Sequence, residues 1–235
     1  MKKDITKLLG KNPYPGRGII AGCSEDGKRS VIIYFIMGRS ENSRNRIFER
    51  TNDGIRTAAY DLSKMTNPEL IIYHPVRESG GRIIVSNGDQ TETILDHLNR
   101  GSGFCDALRT REFEPDPPLY TPRISGLVEK DGSYKLSILK TTAGNPDFCQ
   151  RVFYEYSGAV PGLGHFISTY ETDGSPPPSF SGEPLPVCIN DSYGLDTFAS
   201  GIWESLNEIN KVSLYARERD ILTGRINDLI FNKHV

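Results

Sequence analysis

Gly18-Ile-Ile-Ala-Gly-Cys-Ser-Glu-Asp-Gly-Lys-Arg-Ser-Val-Ile-Ile-Tyr-Phe-Ile-Met37 decides how the rest of the chain is read. Two apolar runs, Gly18–Cys23 and Ser30–Met37, flank a polar stretch, Ser24–Lys28, with Asp26-Gly27 at its centre. Such a pattern signals a β-hairpin, because glycine takes the positive φ that a tight turn needs. Val31–Ile36 reads as a buried strand. Directly after it, Met37-Gly-Arg-Ser-Glu-Asn-Ser-Arg-Asn-Arg46 sets Arg39, Arg44 and Arg46 against a single acid, Glu41. Ser40, Asn42, Ser43 and Asn45 lie between them. Planar guanidinium groups among small hydrogen-bonding residues suit a phosphate or carboxylate ligand. Taken alone, the same loop reads as solvated surface charge. It opens the far end of the hairpin, near Gly16 and Arg17, so Arg17 and Arg39 are expected side by side.

Upstream, residues 1–17 read as a short polar helix or tail entering the turn Asn12-Pro-Tyr-Pro-Gly-Arg-Gly18. Downstream, residues 50–68 are polar with a weak strand at Ile55–Leu62, and Glu69–Val76 reads as a strand. Gly80-Gly81 turns the chain into a second arm, Arg82–Ser86. Asp89 is expected to cap a helix running to Asn99, with Glu92 completing a capping box. Asn87-Gly88 before it fits an anion site at a helix start and an ordinary turn equally well. A short helix at Phe104–Arg109 leads into a proline-rich loop in which Glu112, Glu114 and Asp116 share a face if extended. Clustered carboxylates serve as general bases or are simply solvated. Strands follow at Ile124–Glu129, Tyr134–Lys140, Arg151–Tyr156 and within Gly162–Glu171. Residues 172–186 form a flexible Pro/Gly/Ser-rich connection, with a helix expected at Leu195–Leu206 and a strand at Lys211–Arg217. The tail Ile221–Phe231 reads equally as helix or strand. Hairpin-linked strands with few helices predict an α+β protein on antiparallel sheet.

With 235 residues and a net charge of −2, the chain can bury a full core but has no global field for nucleic acid or a membrane surface. An anion site must therefore be local. The 4 cysteines and 4 histidines are scattered, with no C-x-x-C, H-x-H or H-E-x-x-H spacing, so nothing proposes a metal centre or a disulfide scaffold. No stretch reaches the roughly 18 apolar residues of a membrane span. The N-terminus lacks the apolar core of a signal peptide, which points to a soluble cytoplasmic protein. The phosphate-loop, dinucleotide and nucleophile-elbow glycine motifs do not occur.

Several short motifs occur in order: Tyr14-Pro-Gly-Arg17; Arg39-Ser40 and Asn45-Arg46; Asn67-Pro68 with Tyr73; Val85-Ser-Asn-Gly88 before Thr91-Glu-Thr-Ile94. They continue with Phe113-Glu114 and Asp116, Thr121-Pro-Arg-Ile124, and Ile167-Ser-Thr-Tyr-Glu171. As an ordered set they resemble the archaeal-type inosine monophosphate (IMP) cyclohydrolase family over most of residues 14–171. The arginine loop is longer than the family's usual form around Glu41–Arg44. Residues 1–13 are an extension, and the chain beyond residue 172 is read from its own residues alone.

The resemblance implies a single domain over residues 1–235, a four-layer αββα sandwich of antiparallel sheets like that of N-terminal-nucleophile hydrolases. It implies closure of 5-formamidoimidazole-4-carboxamide ribotide to IMP and water in purine biosynthesis. On that chemistry Glu114 is the base toward the carboxamide N–H and Tyr73 a proton donor at the formyl oxygen. Arg46 polarises that oxygen or holds the carboxamide. Arg17, Arg39 and Arg123 are the expected phosphate contacts, supported by Asn87, Gly88 and Thr91, while Asn45 and Thr121 complete the binding set. The reaction needs no cofactor or metal. The partner is a purine ribotide, with neither nucleic acid nor membrane, and a homo-oligomer is left open. Two other readings stay open: a non-catalytic purine-nucleotide-binding module and a related amide or formamide hydrolase. Cys23, after Gly22, is read as a small buried residue rather than a processed nucleophile.

Overall fold

The apolar run Val31–Ile36 belongs to a strand with a different core on each face. Alternate residues of a strand point to opposite sides. Ile33 and Phe35 accordingly enter one cluster with Ile5, Leu9, Leu195, Phe198 and Ile202. Ile32, Tyr34 and Ile36 enter another with Phe48, Ile55, Val76, Val85, Ile124 and Leu136. Burial on both faces is why the run has no polar alternation.

The computed structural model describes residues 2–64 and 71–234. Along the chain these form α1 (Ile5–Gly10), β1 (Arg17–Cys23), β2 (Arg29–Met37), α2 (Glu41–Arg44), β3 (Arg46–Thr51), β4 (Gly54–Ala59), β5 (Val76–Ser79) and β6 (Arg82–Ser86). There follow α3 (Gln90–Asn99), α4 (Phe104–Arg109), β7 (Arg123–Val128), β8 (Tyr134–Thr142), β9 (Asn145–Tyr156) and β10 (Leu163–Ser168). The last elements are β11 (Leu185–Cys188), α5 (Leu195–Ser205), β12 (Lys211–Asp220) and β13 (Ile226–Asn232). One sheet has the order β11-β10-β1-β2-β12-β13 and the other β3-β4-β5-β6-β7-β8-β9. Every strand pair in both is antiparallel. The expected α+β class and antiparallel sheets are therefore present. A third cluster lies between α3, α4 and the second sheet, with Ile94, Leu98, Phe104 and Leu108 against Ile84, Leu127 and Leu139.

The opening hairpin forms as its sequence predicts. Gly27 has φ +73°, and the Asp26 carboxylate accepts from Ser24 Oγ and Lys28 N, so a side chain closes the turn. Elsewhere the expectations need correcting. Residues 46–51 are a strand, although their polar composition hides it, because β3 is an edge strand with Phe48 as its inward anchor. The strand expected over residues 69–76 begins only at Val76; residues 69 and 70, like Asn67-Pro68, lie outside the described residues. Thr57 N donates to the Tyr73 carbonyl, and Thr57 Oγ1 donates toward the Ile71 and Tyr73 carbonyls and accepts from Tyr73 N, so side-chain bonds supplement the backbone pairing. Asp89 caps nothing: its carboxylate is taken by Arg111 and Arg123, and Glu92 pairs with Arg77. The tail resolves into strand β13.

Gly22 marks the closest approach of two strands. A Cβ there would meet Gly164 Cα at 2.4 Å and Leu163 O at 2.5 Å, both backbone atoms. Gly22→Ala should therefore force β1 from β10 at a cost of about 1–3 kcal/mol. Calorimetry would read this as roughly 2–4 °C of Tm per kcal/mol. An unchanged Tm would show that the two strands separate freely.

Candidate active site

The first sheet delivers Arg17 at the start of β1, opposite Ile36 near the end of β2. Met37 N donates to the Gly16 carbonyl, which holds the chain ends together as the loop leaves the sheet. The loop then makes one short helical turn, α2, with Ser40 and Ser43 capping each other reciprocally. That turn divides the arginines. Arg44 ties the loop to the body, Nε donating to the Gly38 carbonyl and Nη2 to Asn210 Oδ1. Arg39 stays at the rim, its guanidinium 4.9 Å from the centroid of the Tyr14 ring. Arg46, the first residue of β3, is driven inward and is only 1 % exposed.

Arg17, Arg39 and Arg46 line one cavity of about 270 Å³ together with Tyr14, Glu114, Thr121 and Tyr170. Arg46 Nε donates to the Ser43 carbonyl at 2.9 Å, but its Nη2 is buried without a partner. Arg17 Nε is likewise shielded and unpartnered. A buried N–H without an acceptor costs on the order of 1–3 kcal/mol, more on a charged group, so these donors describe a place for an anion or carbonyl oxygen. Burial and the neighbouring Arg17 charge push the Arg46 pKa down. Burial also opposes the Arg17 charge, yet Glu114 and the surrounding tyrosines outweigh it and raise the Arg17 value. At Glu114 burial wins: its carboxyl is held above its usual range although Arg17, Arg123 and Arg46 pull the other way.

Tyr73 is buried beside these groups, its hydroxyl 3.0 Å from the Tyr34 hydroxyl. Burial holds the Tyr34 phenol well above its ordinary pKa, so Tyr34 keeps its proton. Sequence reasoning passed over Tyr34 as a strand residue; a lone hydroxyl in an aliphatic run was the signal. Thr121 lines the cavity as expected, but its N–H and hydroxyl both donate to Asp116, which leaves Tyr170 OH to donate to Thr121 Oγ1. Two of the three acids, Glu114 and Asp116, line the cavity together, and Glu112 does not. Glu114 points in, Asp116 closes the loop, and Glu112 faces Arg151.

The remaining expected contacts stand behind the cavity. Arg123 donates to Asp89 (2.6 Å) and Gln90 Oε1 (2.5 Å), so its charge is already matched by a carboxylate. Asn87 Nδ2 donates to the Pro122 carbonyl and, at 3.4 Å, toward Glu114 Oε1, while its Oδ1 accepts from Ile124 N and Gln90 Nε2. Thr91 bonds Ser86 and the Gly88 carbonyl. A Cβ on Gly88 would come within 2.6 Å of Arg123 Nη1 and 2.7 Å of Gln90 Oε1, so a side chain there would push both groups aside. Asn45 is turned elsewhere, clasping the N–H and carbonyl of Asp61 at 2.7 Å each. Among the described residues no group of three or more His, Cys, Asp or Glu side chains is arranged to hold a metal ion. No helix among them is long and apolar enough to cross a membrane.

A family model described as IMP cyclohydrolase-like protein matches residues 14–224, well past the end of the motif set at residue 171. Similar curated proteins include the IMP cyclohydrolase of Methanococcus aeolicus, 27% identical over 162 residues that make up 67% of this chain and 74% of that one. The IMP cyclohydrolase of Methanothrix thermoacetophila is 29% identical over 186 residues, 77% of this chain and 86% of the relative. That of Halobacterium salinarum is 30% identical over 134 residues, 55% of this chain and 64% of the relative.

Because burial raises the Glu114 pKa, the folded chain holds that proton more tightly than the unfolded chain does. Stability is then lost as pH rises from the ordinary carboxylate range through the raised value. Glu114→Gln mimics the protonated acid, so relative to the parent it should gain stability as the pH rises from about 4 to neutral. That gain should disappear at pH about 4, where both forms are neutral at this position. Paired urea titrations at the two pH values measure it, and a pH-independent difference would contradict the assignment.

Proposed function

The chain belongs to the IMP cyclohydrolase-like family, and we propose that it closes 5-formamidoimidazole-4-carboxamide ribotide to IMP and water. The observation that carries the reading is the pair of unpartnered guanidinium N–H groups, on Arg17 and Arg46, in one cavity with the buried Glu114 carboxyl. The three packed clusters, two beneath helices and one between the sheets, favour the four-layer αββα arrangement of N-terminal-nucleophile hydrolases. Cys23, the one cysteine near the chain start, is fully buried at the end of β1, which speaks for cyclisation over hydrolysis.

The substrate carries both reacting groups, so the protein orients them, moves a proton and stabilises charge. The carboxamide nitrogen attacks the formyl carbon as Glu114 accepts a proton from that nitrogen. The formyl oxygen gains negative charge and is met by Arg46, joined by Arg17, whose buried Nε has no other partner. Tyr73, backed by the protonated Tyr34, donates a proton to the same oxygen. In the second step Glu114 returns its proton to that oxygen, which leaves as water, while the former formamide N–H gives its proton back to Tyr73 and the ring C=N bond forms. A carboxyl with a raised pKa suits both halves of this exchange. Arg39 at the rim holds the ribotide phosphate. Asn87, Gln90 and Arg123 fix the position of Glu114 from behind.

Two variants test these roles by the ultraviolet absorbance of the IMP formed. Glu114→Gln should lower kcat about 100-fold or more, and full turnover would remove Glu114 from the chemistry. Arg123→Gln should lower kcat with little change in KM, because its guanidinium braces Glu114 through Gln90 and Asn87. A rise in KM alone would return Arg123 to phosphate binding.

A further inference from the structure

Arg39 differs from the other cavity arginines in having an acid of its own. Its Nη1 donates to Asp173 Oδ1 and to the Gly174 carbonyl, both at 2.6 Å. Asp173 and Gly174 belong to the proline-rich segment that follows β10. Glu171 N donates to the Pro178 carbonyl and Phe180 N to the Thr169 carbonyl, which closes that segment at its foot. Asp173 Oδ1 also accepts from Gly174 N, so one carboxylate oxygen shapes the tip and grips Arg39 together.

We propose that Asp173 is a resident competitor for the ribotide phosphate, occupying in the free protein the place on Arg39 that the phosphate takes on binding. The inference rests on the reading that this cavity holds a purine ribotide. Arg44 is committed to Gly38 and Asn210 and Arg123 to Asp89 and Gln90, while the proposed reaction assigns Arg17 and Arg46 to the reacting centre. Arg39 lines the same cavity farther out, with Ser40 and Ser43 beside it. Its pairing with Asp173 is open to water, with the two side chains 35% and 44% exposed. Such pairs contribute little, because water and salt screen them. A phosphate carries nearly twice the charge of a carboxylate and three acceptor oxygens, so it displaces Asp173. The carboxylate then sets a modest threshold against weaker anions, since a ligand must win the fraction of molecules in which Arg39 is free.

Calorimetric titration with IMP and with inosine, which lacks the phosphate, tests this on the full chain. Asp173→Asn keeps an oxygen to accept from Gly174 N but removes the charge. It should bind IMP about two- to fivefold more tightly, the scale of an exposed ion pair, with inosine affinity unchanged. Arg39→Ala should weaken IMP binding, and adding Asp173→Asn to it should bring no gain. The proposal is overturned if Asp173→Asn binds IMP no more tightly, if inosine gains equally, or if IMP binds neither form. The cyclohydrolase reading fails separately, on absent turnover of the formylated ribotide by the parent chain, whatever the IMP titrations give.

Discussion

Burying Arg46 beside Arg17 is the constraint on which the rest of the site depends. A guanidinium removed from water costs several kcal/mol unless an opposite charge and hydrogen bonds meet it. A second cation next to it worsens the balance, as the lowered Arg46 pKa shows. Arg17 comes from the first sheet and Arg46 from the edge strand of the second. The compensating carboxylate, Glu114, arrives from the loop that leads into β7. Charge balance at the seam therefore requires the two sheets to stack in register, and the core between them, from Ile19 to Tyr215, supplies the apolar force that holds them there.

Glu114 is in turn costly to hold. Its backbone N–H donates to the Thr121 carbonyl, and Asp116 secures Thr121 from inside the same loop. Behind it Asn87 uses both ends of its amide, linking Glu114, Pro122, Ile124 and Gln90. Networks of this kind fix geometry when every member is satisfied. The Glu114 carboxyl, with its raised pKa, and the unpartnered guanidinium N–H groups of Arg17, Arg46 and Arg123 are left unsatisfied here, and perturbed groups gather where ligands bind.

Much of the architecture was legible because it rests on local signals. Asp26-Gly27 gives the first hairpin, and the alternation or continuity of apolar residues gives β1, β2, β7 and β8. Edge strands were harder. β3 reads as polar because one side faces water, and Tyr73 sits outside a strand because Thr57 satisfies its backbone. In the site, Arg17, Arg39, Arg46, Glu114 and Thr121 converge on one cavity, and Tyr73 lies beside it. Asn45, Asn87, Thr91 and Arg123 do not line that cavity, for one shared reason. Their hydrogen-bond partners, Asp61, Gln90, Ser86 and Asp89, are polar residues whose own geometry the sequence does not reveal. Asp89 shows this most sharply, since a capping pattern was present and two arginines outbid the helix for its carboxylate.

The short helical turn α2 has one further consequence. Ser40 and Ser43 close it on themselves, while Arg44 anchors it to Gly38 and Asn210 rather than to any residue around Glu114. The segment that shapes the cavity rim still touches its floor, because the Ser43 carbonyl accepts from Arg46 Nε. A change in the length of this turn therefore reaches Arg46 as well as the rim, while the support of Glu114 by Asn87 and Thr121 stays apart from it.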